Sequence, residues 1–138
     1  MSKLAESIVD ADHPRICMEC RCKFCRDDCV QYIETRNDAY TAYGKMVAAY
    51  ANQIGHIGLS KEFAEFLTYC CLCGRCKYRC TSTLGMIYYG KVMDVPKLVM
   101  EMRAKLTEEG KAPPDVRDVL ENIVRWGNPY GVSKSILW

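Results

Sequence analysis

Little in this sequence points to a membrane, a secretory route or a nucleic acid. No run approaches the ~18 apolar residues that a membrane helix needs, because Lys, Glu or Asp interrupts the apolar stretches every few residues. The opening MSKLAESIVDAD has neither an apolar core nor a small-residue cleavage site, so the expectation is a cytoplasmic chain without a secretory leader. Charge is nearly balanced, with 19 basic and 17 acidic side chains and a net charge of +2. The basic excess that accompanies nucleic-acid binding is missing. There are only two histidines, His13 and His56, each isolated beside a turn signal, which favours capping or solvation over ligation. No Gly-rich phosphate loop, nucleophile elbow or paired-carboxylate arrangement is visible. The chain is therefore not expected to catalyse a reaction by itself.

Alternating strand patterns are also missing; Ile87-Tyr88-Tyr89 is the sole β-rich patch and is very short. Helical periodicity is present instead, and the fold class expected is all-α. Lys3 to Ala11 reads as a short helix that His13-Pro14 ends, since the residue before proline is pushed out of the helical region. Val30 to about Gln53 reads as one long helix with Ile33, Tyr40, Tyr43, Val47, Tyr50 and Ile54 recurring at three or four, with one longer gap. Ser60 is placed to cap a helix over Lys61 to Tyr69, and Asp94 one that carries Val95, Leu98, Val99, Met102 and Leu106, with Gly110 at its end. Pro113-Pro114 forms a linker. Beyond it lies a helix from Asp115 to Trp126, with Val116, Val119, Leu120, Ile123 and Val124 at helical spacing, Gly127 as its stop and a turn at Asn128-Pro129-Tyr130-Gly131. This divides the chain into a main domain, 1–112, and a C-terminal helix and tail, 113–138.

Cysteine is the exceptional component, with ten in 138 residues. In a reducing compartment disulfides are disfavoured, and the crowding of the cysteines into two groups favours a metal centre. Cys70, Cys73, Cys76 and Cys80 have the spacing C-x2-C-x2-C-x3-C, that of a bacterial [4Fe–4S] run whose fourth cysteine ligates the other cluster. Structural zinc prefers two C-x2-C pairs separated by a longer loop. A zinc-stabilised helical interaction module is the alternative reading.

The first group, CMECRCKFCRDDC, is less regular. Cys22, Cys25 and Cys29 keep the last three positions in register, but Glu19 stands where the first cysteine should fall. In one alignment Cys17 and Cys20 are the first two ligands and Cys25 the third. In the other Cys22 and Cys25 are ligands, with Cys17 or Cys20 reaching in as the first. Two [4Fe–4S] clusters are expected, one on three first-group cysteines plus Cys80, the other on Cys70, Cys73 and Cys76 plus Cys29. Cys71 is then spare, as is one cysteine of the first group. Arg75, Lys77 and Arg79 in the second loop have no acid among them, which predicts the higher potential for the cluster held mainly there.

The stretches CKFCRDDCVQYIETRNDAYTAYGKM and CCLCGRCKYRC resemble the two loops, with the Tyr and Gly-Lys landmarks of the first helix, of the heterodisulfide-reductase-type iron–sulfur proteins. The tail ENIVRWGNPYGVSKSILW is similar to the segment that follows the two-cluster module in that family. The resemblance runs from Cys17 to Trp138. It implies an α-helical ferredoxin fold and an electron conduit between a flavin or iron–sulfur donor and a catalytic subunit with CCG motifs, within a hetero-oligomer. This sequence departs from the family in two ways. Val30 and Thr81 replace the proline after the fourth cysteine of each loop, and no CCG motif follows. The CCG part is then expected on a separate polypeptide.

Overall fold

The structure, a computed structural model, describes residues 12–80, 86–87 and 90–137. The helix expected over Lys3 to Ala11 lies outside them, as do Tyr88 and Tyr89. Among the described residues there is no strand, and the fold is all-α. No helix among them is long and apolar enough to cross a membrane.

The chain does not turn away from helix at His13-Pro14. Helix α1 spans Asp12–Cys20 and includes Pro14. Proline is tolerated there because the first-turn N–H groups of a helix have no intrahelical acceptor. Cys17 and Cys20 consequently stand three apart on a helix rather than in a loop.

The expected long helix is broken in two. Helix α2, Val30–Thr35, ends at Arg36 in the left-handed conformation with φ 53°. A 3-10 turn follows at Asp38–Tyr40, and helix α3 spans Ala42–Gln53. The break falls in the longer gap between Ile33 and Tyr40, where short polar side chains compete for the backbone. Asn37 Oδ1 accepts the Ala39 N–H at 2.9 Å, and Thr41 Oγ1 accepts the Gly44 N–H at 3.0 Å. The 3-10 turn lies so close to α3 that a Cβ on Gly44 would stand 2.1 Å from the Ala39 carbonyl oxygen.

The remaining boundaries follow the capping signals. Helix α4, Lys61–Thr68, starts at Ser60, whose Oγ accepts the Phe63 N–H at 3.2 Å. Helix α5 covers Arg75–Cys80. Helix α6, Val95–Glu108, starts at Asp94, which accepts the Lys97 N–H at 3.2 Å, and Gly110 follows it with φ 69°. Helix α7, Pro114–Trp126, stops at Gly127, and a short α8 covers Lys134–Leu137. Asn128 ties the turn after α7 by donating to the Trp126 and Val132 carbonyls at 3.2 and 2.7 Å.

Helix α1 lies along α3, and α6 packs on α3, α4 and α5. Met46 and Ala49 of α3, Leu67 of α4, and Leu98, Val99, Met102 and Leu106 of α6 are buried together. Each of these Leu, Val and Met side chains stabilises the fold by about 1.5–3 kcal/mol relative to exposure. Helix α7 stays outside this core. Its expected stripe forms, but none of its residues is buried, and Val119, Leu120 and Ile123 are 40–45% exposed.

Candidate metal centre

The two cysteine groups share a backbone device. In the first loop Cys22 lies between Arg21 and Lys23, with φ 50° and 53°; in the second, Cys73 lies between Leu72 and Gly74, with φ 56° and 78°. Three of these four are not glycine and carry the strain of a left-handed conformation. Such curled backbone forms concavities that hold anions through N–H groups. The repeat aligns Cys22 with Cys73, Cys25 with Cys76 and Cys29 with Cys80. On the same register Glu19 matches Cys70, and Cys20 matches Cys71.

The loops and helix starts enclose two inlets. Cys17, Cys20, Cys22, Cys25, Cys76 and Cys80 line the first, with Ile16, Tyr43 and Met93; its space counted out to the mouth is about 460 Å³. Cys29, Cys70, Cys71, Cys73 and Cys76 line the second, with Lys45 and Leu72, in about 400 Å³. All nine cysteines singled out in the sequence thus face one inlet or the other. Cys29 of the first loop is in the wall of the second inlet, and Cys80 of the second loop is in the wall of the first. Ala42, Cys76 and Val95 belong to both walls. Neither histidine lines either inlet.

The sulfurs stand in apolar surroundings. Burial first, then the proximity of Cys25, Cys22 and Cys80, pushes the Cys17 thiol far above its ordinary range. Burial and Cys22 push Cys25 up to about 11, against hydrogen bonds from the backbone of Tyr43 and of Cys25 itself. Burial, with Cys25 and Cys70 beside it, pushes Cys76 up to about 12. Buried thiols favour the neutral form until a cation takes the place of the proton. Cys80 is buried and its Sγ accepts the Met93 N–H at 3.4 Å, while Cys71 and Cys73 are exposed.

A single zinc ion would require four donors about 2.0–2.3 Å from one point. Among the described residues no three Cys, His or acidic side chains converge in that way. The sulfurs instead stand round the walls of two voids, and the donor set is all thiol. That arrangement suits a polynuclear cluster, whose ligands sit at separate corners.

The electrostatics differ from the sequence expectation. The second-loop cations are paired by acids that the fold brings in from elsewhere: Asp28 lies 3.8 Å from Arg75 and 3.3 Å from Arg79, and Asp94 lies 2.5 Å from Lys77. The cations beneath the loop are ones the sequence reading missed. Lys45 is 2% exposed, lines the second inlet and donates to the Tyr40 carbonyl. Arg103 donates to the Leu67 and Cys70 carbonyls, both at 2.6 Å, and so fixes the end of α4 and the start of the loop. A signal for Lys45 existed: it is the one charge on the face of α3 that carries Ala42, Met46 and Ala49.

An all-helical protein whose two strained cysteine loops wall a pair of adjoining inlets belongs to the iron–sulfur class. The comparison with known families agrees, since a model described as 4Fe-4S dicluster domain matches residues 16–85. The match covers half of the chain, which belongs to that family and is an electron-transfer iron–sulfur protein with [4Fe–4S]-binding loops. No curated protein and no solved structure matches the chain.

Proposed function

We propose that the chain is an electron-transfer subunit that holds two [4Fe–4S] clusters, one in each inlet. The observation that carries this reading is the exchange of Cys29 and Cys80 between the loops, the arrangement that the spacing rule requires of a two-cluster protein. In this reading Cys70, Cys73, Cys76 and Cys29 hold the second-inlet cluster. Cys22, Cys25 and Cys80 hold the other together with Cys17, whose thiol stands close to all three in the same inlet. Cys20, in register with exposed Cys71, is the first-inlet cysteine that this reading leaves without a cluster.

When bound, the clusters supply single-electron acceptance and release. The protein's own part is spacing, shielding and access. Ala42, Cys76 and Val95 keep the two sites one wall apart. Cys73 brings the second site to the surface, which makes that loop the point of exchange with a redox partner.

The host in this reading is a heterodisulfide-reductase-like complex. The chain carries electrons from a flavin or iron–sulfur donor to a CCG-type catalytic subunit on another polypeptide. The tail's resemblance supports it, as does the outward apolar stripe of α7 within 113–138, a surface suited to docking.

Anaerobic isolation with iron and sulfide analysis tests the core of the reading. About eight iron and eight sulfide per chain, with two paramagnetic signals after reduction, is the expected result. A folded, colourless protein holding zinc would overturn it.

A further inference from the structure

Lys45 is the most deeply buried charge described. It is 2% exposed, its Nζ donates to the Tyr40 carbonyl and it stands 5.5 Å from the centroid of the Phe66 ring. Among the described residues no carboxylate pairs with it; its charged or ionisable neighbours are Cys70, Cys29, Cys76 and Arg103. One carbonyl and one ring do not offset the loss of hydration of a buried ammonium, which normally requires an anion. The inlet wall to which Lys45 belongs is where the anion would sit. A cluster held by four thiolates is negative in either redox state and gains one further negative charge on reduction.

Resting on the two-cluster reading, we infer that Lys45 is the internal counter-charge of the second inlet and raises the potential of the cluster held by Cys29, Cys70, Cys73 and Cys76. Arg75, Lys77 and Arg79 contribute little to that potential. They are 52–66% exposed and already paired with Asp28 or Asp94, so solvent and their acids screen them. Lys45 has neither form of screening. Two unit charges that interact over about 10 Å, at an effective dielectric constant of about 20, shift an equilibrium about tenfold. Lys45 is buried, so it acts through the cluster, as a positioning charge.

The test compares the full chain, loaded anaerobically, as wild type, Lys45→Met, Lys45→Gln and Lys45→Arg, in redox titrations followed by paramagnetic resonance. The second-inlet signal is identified as the one lost in Cys73→Ser, since Cys73 lines that inlet alone. At a fixed poise Lys45→Met and Lys45→Gln lower the reduced-to-oxidised ratio of that signal about tenfold, equivalent to about 59 mV for one electron. The other signal stays in place, and Lys45→Arg stays near wild type. Loss of the second cluster alone in both neutral variants, with Lys45→Arg loaded, also supports a required charge. Full loading with both potentials unchanged in the neutral variants would overturn the inference, as would equal cluster loss in Lys45→Arg, which marks a packing role. A wild-type chain without iron refutes the two-cluster reading itself, a different result from either.

Discussion

The exchanged cysteines make a sharp pair of variants. Cys29→Ser removes a first-loop residue, yet the cluster it should destroy is the one in the second inlet, with Cys70, Cys73 and Cys76. Cys80→Ser is the mirror case and should destroy the cluster among Cys17, Cys22 and Cys25. Each variant should fall from about eight iron to about four and lose one of two signals, and the two variants should lose different signals. Serine keeps the disturbance local. At position 80 its hydroxyl still accepts the Met93 N–H that Cys80 receives at 3.4 Å.

The stability cost follows from chain topology. A cluster that bridges Cys29 and Cys70 closes a loop of about 40 residues, and one bridging Cys25 and Cys80 a loop of about 55; treated as simple cross-links, each restricts the unfolded chain by about 4 kcal/mol. Anaerobic melting of the two variants should therefore show similar losses, against iron and resonance assays that tell them apart. Cys71→Ser, which removes no proposed ligand, is the control and should keep both signals. If Cys29→Ser and Cys80→Ser abolish the same signal, or if Cys29→Ser spares the second-inlet cluster, the crossed ligation is wrong.

Cys17→Ser should halve the iron content while Cys20→Ser leaves it intact; the opposite outcome in iron analysis would make Cys20 the fourth ligand of the first inlet. Gly44→Ala drives a methyl group against the Ala39 carbonyl and should destabilise the fold by about 1–3 kcal/mol in denaturant titrations. Cluster assembly should release protons at neutral pH, since Cys17, Cys25 and Cys76 start as neutral thiols and end as thiolates. Iron loss to a chelator should then quicken as pH falls from about 8 to 6, and a pH-independent rate would show thiols already ionised. Burial works against the Asp94 carboxylate, but the Lys77 ammonium and the Lys97 N–H outweigh it and hold the group below its ordinary value near 3.8. Its stabilisation is therefore complete above that value and fades as pH falls through the lower folded one. Asp94→Ala should cost about 1 kcal/mol at neutral pH and nothing in strong acid, as read from melts across that range.

Boundaries set by one residue's local chemistry were legible in the sequence. Ser60, Asp94, Gly110 and Gly127 each act through hydrogen bonds or backbone freedom within a few positions, so type and place were enough. The break between α2 and α3 was harder to read. Apolar spacing continues across it, and the deciding groups, Asn37 and Thr41, are short polar side chains that also occur inside helices. Pro14 misled because proline stops a helix interior but suits a first turn. At the site, the cysteine spacing pointed to the residues that line the two inlets, and the crossover rule to Cys29 and Cys80 lining the inlet of the other loop. That Cys76 faces both inlets, that Asp28 answers Arg75 and Arg79, and that Lys45 is buried all depend on how α3, α5 and α6 meet. No local pattern carries that information.

The wall between the inlets shows how ordinary helix chemistry serves the site. Ala42 and Val95, which it shares with Cys76, are the first residues of α3 and α6. A helix start is small, and its backbone is otherwise unsatisfied, so two chains can approach closely there only if both ends are capped. Thr41 caps one and Asp94 the other, and Asp94 also reaches Lys77 on α5, the helix that carries Cys76 and Cys80. The caps therefore fix more than two helix ends: they set the thickness of the partition between the inlets. Further along the same two helices Met46, Leu98, Val99 and Met102 are buried in the core. The strained left-handed backbone of Arg21, Lys23 and Leu72 lies in the two cysteine loops. Ligation of a cluster by the loop cysteines would offset that strain.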